Sequence, residues 1–146
     1  MDKKYICYCG LYCENCAVKA KINPAAKVLH EAMRSAGFEE TIHYIPGGDG
    51  FWPFLKDMAK NGICASCREG SGNPGCAVRI CAKEKDVEMC ALCDSYPCGR
   101  FDEFFKGYPM LEHDNALLRK KGMEAWSKLQ DERRAGGFTY TDGTVR

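Results

Sequence analysis

Hydrophobic and polar positions follow a helical period over most of this chain and alternate only near its start. Residues 3–9, KKYICYC, are rich in β-formers and predict a short strand. It places Cys7 and Cys9 on one face and Ile6 and Tyr8 on the other. A helix is predicted from Asn23, a good N-cap with Pro24 at the first helical position, to a closing Gly37. Val28, Leu29 and Met33 lie along its apolar stripe. The turn PGGDG (46–50) leads to a second helix over FWPFLKDMAKNG, closed at Gly62. AVRICAKEKD (77–86) predicts a short helix. Asp94 or Ser95 is suited to cap another, with Phe101, Phe104, Phe105 and Tyr108 at helical spacing and Cys98 turned toward the core with Phe101 and Phe105. The longest helix is expected over 113–135, with Leu118, Gly122, Ala125 or Trp126, and Leu129 inward and Gly136-Gly137 ending it. FTY (138–140) is expected to return as a strand beside residues 4–8. No repeat or low-complexity linker interrupts the chain. The expected architecture is one α+β domain over residues 1–146, mostly helical, with a short N-terminal strand and cysteine-rich irregular loops.

The periodic pattern lapses between residues 64 and 98, where GSGNPG excludes regular structure. Here composition changes the picture, because the chain has 11 cysteines. They fall into sets: Cys9, Cys13 and Cys16; Cys64 and Cys67; Cys76 and Cys81; Cys90, Cys93 and Cys98. Three of the sets contain C-x2-C. A tight turn at that spacing points two sulfurs at one place, about 2.3 Å from a zinc ion. Cys7 stands apart and reads as a small core residue. Two tetrathiolate sites use eight of the other ten cysteines, whereas a third site would need two of His30, His43 and His113, which read as non-ligating. The N-terminal triplet then draws a fourth ligand from the central region. Cys64 and Cys67 pair with two of Cys76, Cys81, Cys90 and Cys93, and spacing leaves the pairing open. On one helix Cys76 and Cys81 diverge by about 140°, so they serve different sites or one is a core thiol. Metal binding on this scale, roughly 10–16 kcal/mol per structural zinc, would hold together a centre whose loops supply no core.

Charge and composition exclude several functions. Hydrophobic residues are 45% and charged residues 28%, as in ordinary soluble domains. A net charge of +1 gives no field to attract nucleic acid or an anionic membrane. Arg119-Lys120-Lys121 and Arg133-Arg134 read as a solvated helix face. No apolar run approaches the roughly 20 residues of a membrane span. MDKKYICYCG lacks the apolar stretch of a secretory signal, so the expected compartment is the reducing cytoplasm, where clustered cysteines serve metals more often than disulfides. C-x3-C-x2-C at Cys9 is the spacing of radical S-adenosylmethionine enzymes. The chain, however, lacks their alternating strands and helices, has Asn15 where an aromatic is usual, and has further cysteines to fill a fourth corner. The ferredoxin run C-x2-C-x2-C is absent. CENC, CASC and CALC lack the βαβ context of a dithiol oxidoreductase. No Ser/His/Asp set, phosphate-cradling loop, HExxH or paired carboxylates appear. The reading leans away from an enzyme. It favours a binding or interaction module with two structural zinc ions and an unidentified protein partner. An iron–sulfur protein with an electron-transfer or accessory redox role is the alternative.

The segments CGLYCENC, CASCREGSGNPGCAVRICAKEKDVEMCALCDSYPC and GMEAWSKLQDERRAGGFTY together resemble the cysteine-rich prokaryotic family called domain of unknown function 3795. The order CGLxC, CxxCR, CAxEK, then CxxC ending in YPC before an aromatic helix carries the likeness over nearly the whole chain. The resemblance implies a small cytoplasmic protein that binds metal, generally zinc. It implies Cys9, Cys13, Cys16, Cys64, Cys67, Cys76, Cys81, Cys90, Cys93 and Cys98 as the matching positions, without Cys7. It implies no activity.

Overall fold

A computed structural model describes residues 1–142. The chain forms two compact units, Val18–Cys64 and Met1–Ala17 with Ala65–Arg146, the latter described through Asp142. In the smaller unit a π-helical turn, Val18–Ile22, runs into α1 (Asn23–Ser35), followed by α2 (Phe38–Thr41) and α3 (Gly48–Asn61). Its core is Ala26, Ile42, Trp52 and Leu55, with Met33, Phe38 and Met58 at the margin. The inward stripe of α1 therefore runs through Ala26, His30 and Met33, at i, i+4 and i+7. The expected Val28 and Leu29 are 72% and 46% exposed. Asn23 does not cap α1. Its Oδ1 accepts from the Ile63 N–H at 3.2 Å and so ties the start of α1 to the end of the unit.

The larger unit holds α4 (Ala77–Glu84), α5 (Asp102–Gly107) and α6 (Met110–Ala135), joined by 3-10 turns. Helix α5 starts after the turn Gly99–Phe101, later than a cap at Asp94 or Ser95 would place it. The fold is all-helical among the described residues, which corrects the α+β expectation. The sequence 3–9 is not a strand: Lys3–Tyr5 is a 3-10 turn, and the β-pairing recorded is a single bridge between Ile6 and Tyr12. The chain doubles back too sharply to extend. The Cys7 N–H donates to the Leu11 carbonyl at 2.8 Å, the Gly10 N–H donates to the Cys7 carbonyl at 3.0 Å, and Gly10 takes φ 99°. The β-formers serve as core plugs instead, with Ile6 and Tyr12 buried against Met89, Ala91, Leu118 and Trp126. FTY has no strand to join. The Thr139 N–H and hydroxyl both bond the Asp142 carboxylate, at 2.7 and 2.9 Å, and curl the segment into a 3-10 turn.

Helix α6 is broken at Gly122, whose φ of 82° and ψ of 177° leave the helical region. The expected inward stripe is corrected accordingly. Gly122 is exposed and Leu129 half-buried, while Leu111, Asp114, Asn115, Leu118, Trp126 and Gln130 face inward. No helix among the described residues is long and apolar enough to cross a membrane.

Candidate metal centre

The larger unit gathers its cysteines at two places. At the first, α4 presents Cys81, and the 3-10 turn Cys90–Leu92 closes with the Cys93 N–H on the Cys90 carbonyl at 2.9 Å. That turn sends the sulfurs of the C-x2-C pair the same way. Cys98 follows, just before the turn into α5. Cys81, Cys90, Cys93 and Cys98 line one cavity of about 50 Å³, walled on its apolar side by Val78, Ala82, Val87 and Phe101. Burial pushes the Cys90 thiol up to about 12, and the neighbouring sulfurs of Cys9, Cys81, Cys93 and Cys98 add to the effect.

At the second place, the turn Cys13–Asn15 repeats the knuckle, with the Cys16 N–H on the Cys13 carbonyl at 3.0 Å. The Cys7 Sγ lies 3.4 Å from the Cys13 Sγ, and the Cys9 and Cys67 sulfurs are near enough to shift its thiol. Cys7, Cys9 and Cys13 are all buried, and Cys67 packs against them. The Cys67 thiol is lowered to about 6 by the hydrogen bond from Cys7, then by the Tyr8 N–H and the Arg79 guanidinium. Cys7 is pushed up by Cys13 first, then by Cys67 and Cys9, and by burial. Cys16 is half-buried beside Tyr108. The Tyr108 hydroxyl is pushed up by burial and by the nearby sulfurs of Cys16, Cys9 and Cys7. Cys76 lies at the margin of the same core, and Cys64 is the last residue of the smaller unit. All 11 cysteines are free thiols.

The backbone of Tyr8 joins the two places: its N–H reaches the Cys67 sulfur, and its carbonyl accepts from the Cys90 N–H at 2.7 Å. Without a sheet, the loops that carry the sulfurs leave carbonyls to be satisfied, and arginines reach them. Arg79, only 7% exposed, donates to the carbonyls of Ser71 and Asn73, both at 2.7 Å, and to Cys67 at 3.4 Å. Arg68 donates to Ile6 at 2.8 Å and Glu88 at 2.7 Å, and stacks over Tyr8. Arg119 donates to Ala91 at 2.7 Å and Cys93 at 3.3 Å. Arg133 pairs with the buried Asp114, and Arg134 pairs with Glu14 inside the N-terminal knuckle. The expectation of a solvated basic face is therefore corrected for Arg133, while Arg119 and Arg134 stay exposed and brace neighbouring groups from the surface.

Below the knuckle lies a buried polar network that no short motif announces. The Asn15 amide donates to Gln130 Oε1 at 3.0 Å, and Gln130 Nε2 donates to Asp114 at 3.0 Å. The Tyr140 hydroxyl accepts from the Tyr12 N–H at 2.7 Å and donates to Gln130. Asn115 Nδ2 donates to the Cys9 carbonyl at 2.9 Å and to the Tyr96 hydroxyl at 3.0 Å.

The histidines lie elsewhere. His30 stacks on Trp52, His43 lies tilted against Tyr44, and His113 contacts Asp114. Among the described residues, no group of three or more His, Cys, Asp or Glu side chains is arranged, as it stands, to hold a metal ion. The donors grouped by the cavity are four thiols without imidazole or carboxylate, a soft set that suits zinc or iron–sulfur in kind. No curated protein and no solved structure matches the chain. Residues 5–103 match the family described as Protein of unknown function (DUF3795), and the chain belongs to that family.

Proposed function

We propose that this protein is a zinc-binding module with two cysteine-ligated structural ions, serving as a binding or interaction domain. One centre takes Cys81, Cys90, Cys93 and Cys98. The other is built on Cys9, Cys13 and Cys67. The observation that carries this reading is the cavity with four cysteines and several apolar side chains on its wall. Rotation of side chains, with the backbone turns kept, brings such sulfurs onto one ion at about 2.3 Å. A filled tetrathiolate has no open coordination position, so the ions would hold loops in place rather than perform chemistry. The chain's own contribution is the arginine bracing, which fixes the loop carbonyls and thus the directions from which the sulfurs approach. The test is metal analysis by mass spectrometry with an absorbance spectrum, on protein purified without oxygen. About two zinc ions per chain and no visible colour are expected. Metal-free protein of unchanged melting temperature would overturn the reading, and iron with inorganic sulfide would replace it with an iron–sulfur protein.

A further inference from the structure

We propose that Cys7, rather than Cys16, is the fourth thiolate of the N-terminal centre. This rests on the zinc reading above. Four sulfurs around a tetrahedral zinc at about 2.3 Å stand about 3.8 Å from one another. The Cys7 and Cys13 sulfurs are already 3.4 Å apart, and Cys7, Cys9 and Cys13 share one buried core against which Cys67 packs. Cys16 is half-buried and lies outside that core, beside Tyr108. The local backbone explains the difference. The Cys7 N–H bond to Leu11 and the Gly10 turn fold residues 7–11 into a tight hook in which Cys7 and Cys9 are both buried. The knuckle at 13–16 then contributes its first cysteine to the same point. The ligand set becomes Cys7, Cys9, Cys13 and Cys67. On binding, each ligand that is still a thiol releases its proton to solvent and four Zn–S bonds form, so no oxidant or reductant takes part.

Full-length Cys7→Ser and Cys16→Ser, purified beside the wild type, separate the alternatives. Zinc per chain is counted by mass spectrometry, and the thiolate-to-cobalt charge-transfer band is recorded after cobalt substitution. Cys7→Ser is expected to fall to about one ion, or to keep two with a weaker charge-transfer band, while Cys16→Ser matches the wild type. The reverse pattern, or two variants that both match the wild type, overturns the assignment and leaves the zinc reading standing. A wild type without zinc overturns the zinc reading itself. If Cys7→Ser fails to fold, iodoacetamide footprinting of the zinc-loaded wild type gives the same decision. Cys16 labelled, with Cys7 protected until chelator is added, supports the assignment; Cys16 protected, or Cys7 labelled before chelation, overturns it.

Discussion

Gly10 sits between Cys9 and Cys13, where the hook folds back toward Asn115. A Cβ built there would lie 2.0 Å from Asn115 Oδ1 and 2.9 Å from its Cγ, distances at which the amide must leave. Gly10→Ala therefore combines two penalties. Holding a non-glycine residue at φ 99° costs roughly 1–3 kcal/mol. Displacing Asn115 breaks its bonds to the Cys9 carbonyl and the Tyr96 hydroxyl, each worth about 0.5–1.5 kcal/mol net. Their sum is about 4 kcal/mol, a large part of a typical domain's roughly 5–15 kcal/mol. Asn115→Ala alone loses the same two bonds, about 2 kcal/mol. In the double variant there is no amide left to displace, so only strain is added and the total is again about 4 rather than about 6 kcal/mol. The assay is urea unfolding of wild type, both single variants and the double variant, with slopes compared to confirm a common unfolded reference. Strict additivity, or a Gly10→Ala within about 0.5 kcal/mol of wild type, would refute the close approach of Asn115 to the hook.

Other outcomes follow from the same contacts. Tyr140→Phe leaves the buried Tyr12 N–H without an acceptor and should lower stability by about 1–3 kcal/mol in the same unfolding assay. Arg79→Met keeps the bulk but removes two charged hydrogen bonds at 2.7 Å, each worth about 1.5–3 kcal/mol, and should also speed zinc loss to a chromogenic chelator. Asp114→Asn breaks the buried pair with Arg133 and should cost about 3–5 kcal/mol; a change under about 1 kcal/mol would show the pair to be fully hydrated. Chelation should lower the melting temperature and loosen residues 64–98, while hydrogen exchange in the second half of α6 changes little.

What was legible in the sequence was what the chain does locally. Gly62 and Gly136-Gly137 mark helix ends within a residue or two, because breakers act on their own backbone, whereas Asn23-Pro24 sits inside a helical run that begins at the π-helical turn. That residues 3–9 form no strand is not legible. Their β-formers are needed as core plugs, and the hook that Gly10 allows competes successfully with extension. The α1 stripe was misplaced because Ala26 and His30 face inward and Val28 and Leu29 do not, a choice set by Trp52 on another helix. The C-x2-C pairs at Cys13–Cys16 and Cys90–Cys93 were visible from spacing. The meeting of Cys81 with Cys98, and of Cys7 with Cys67, depends on chain returns that spacing does not encode. Asp114, Asn115 and Gln130 read as ordinary polar residues on a helix, since a buried network is recognised only when its partners are found.

The network has an evolutionary consequence. Asn15 lies within the residues that match the family, whereas its acceptor Gln130 lies beyond residue 103, where the match ends. Asn15 is fully buried, so in a relative whose chain stops near that point its amide would have no acceptor from this helix. Family members of that shorter kind should carry a small or apolar residue at the position of Asn15. Those that keep the asparagine should keep a glutamine, or another acceptor of similar reach, at the position of Gln130. The residue between two cysteines of the knuckle is thus tied, in this chain, to the last helix.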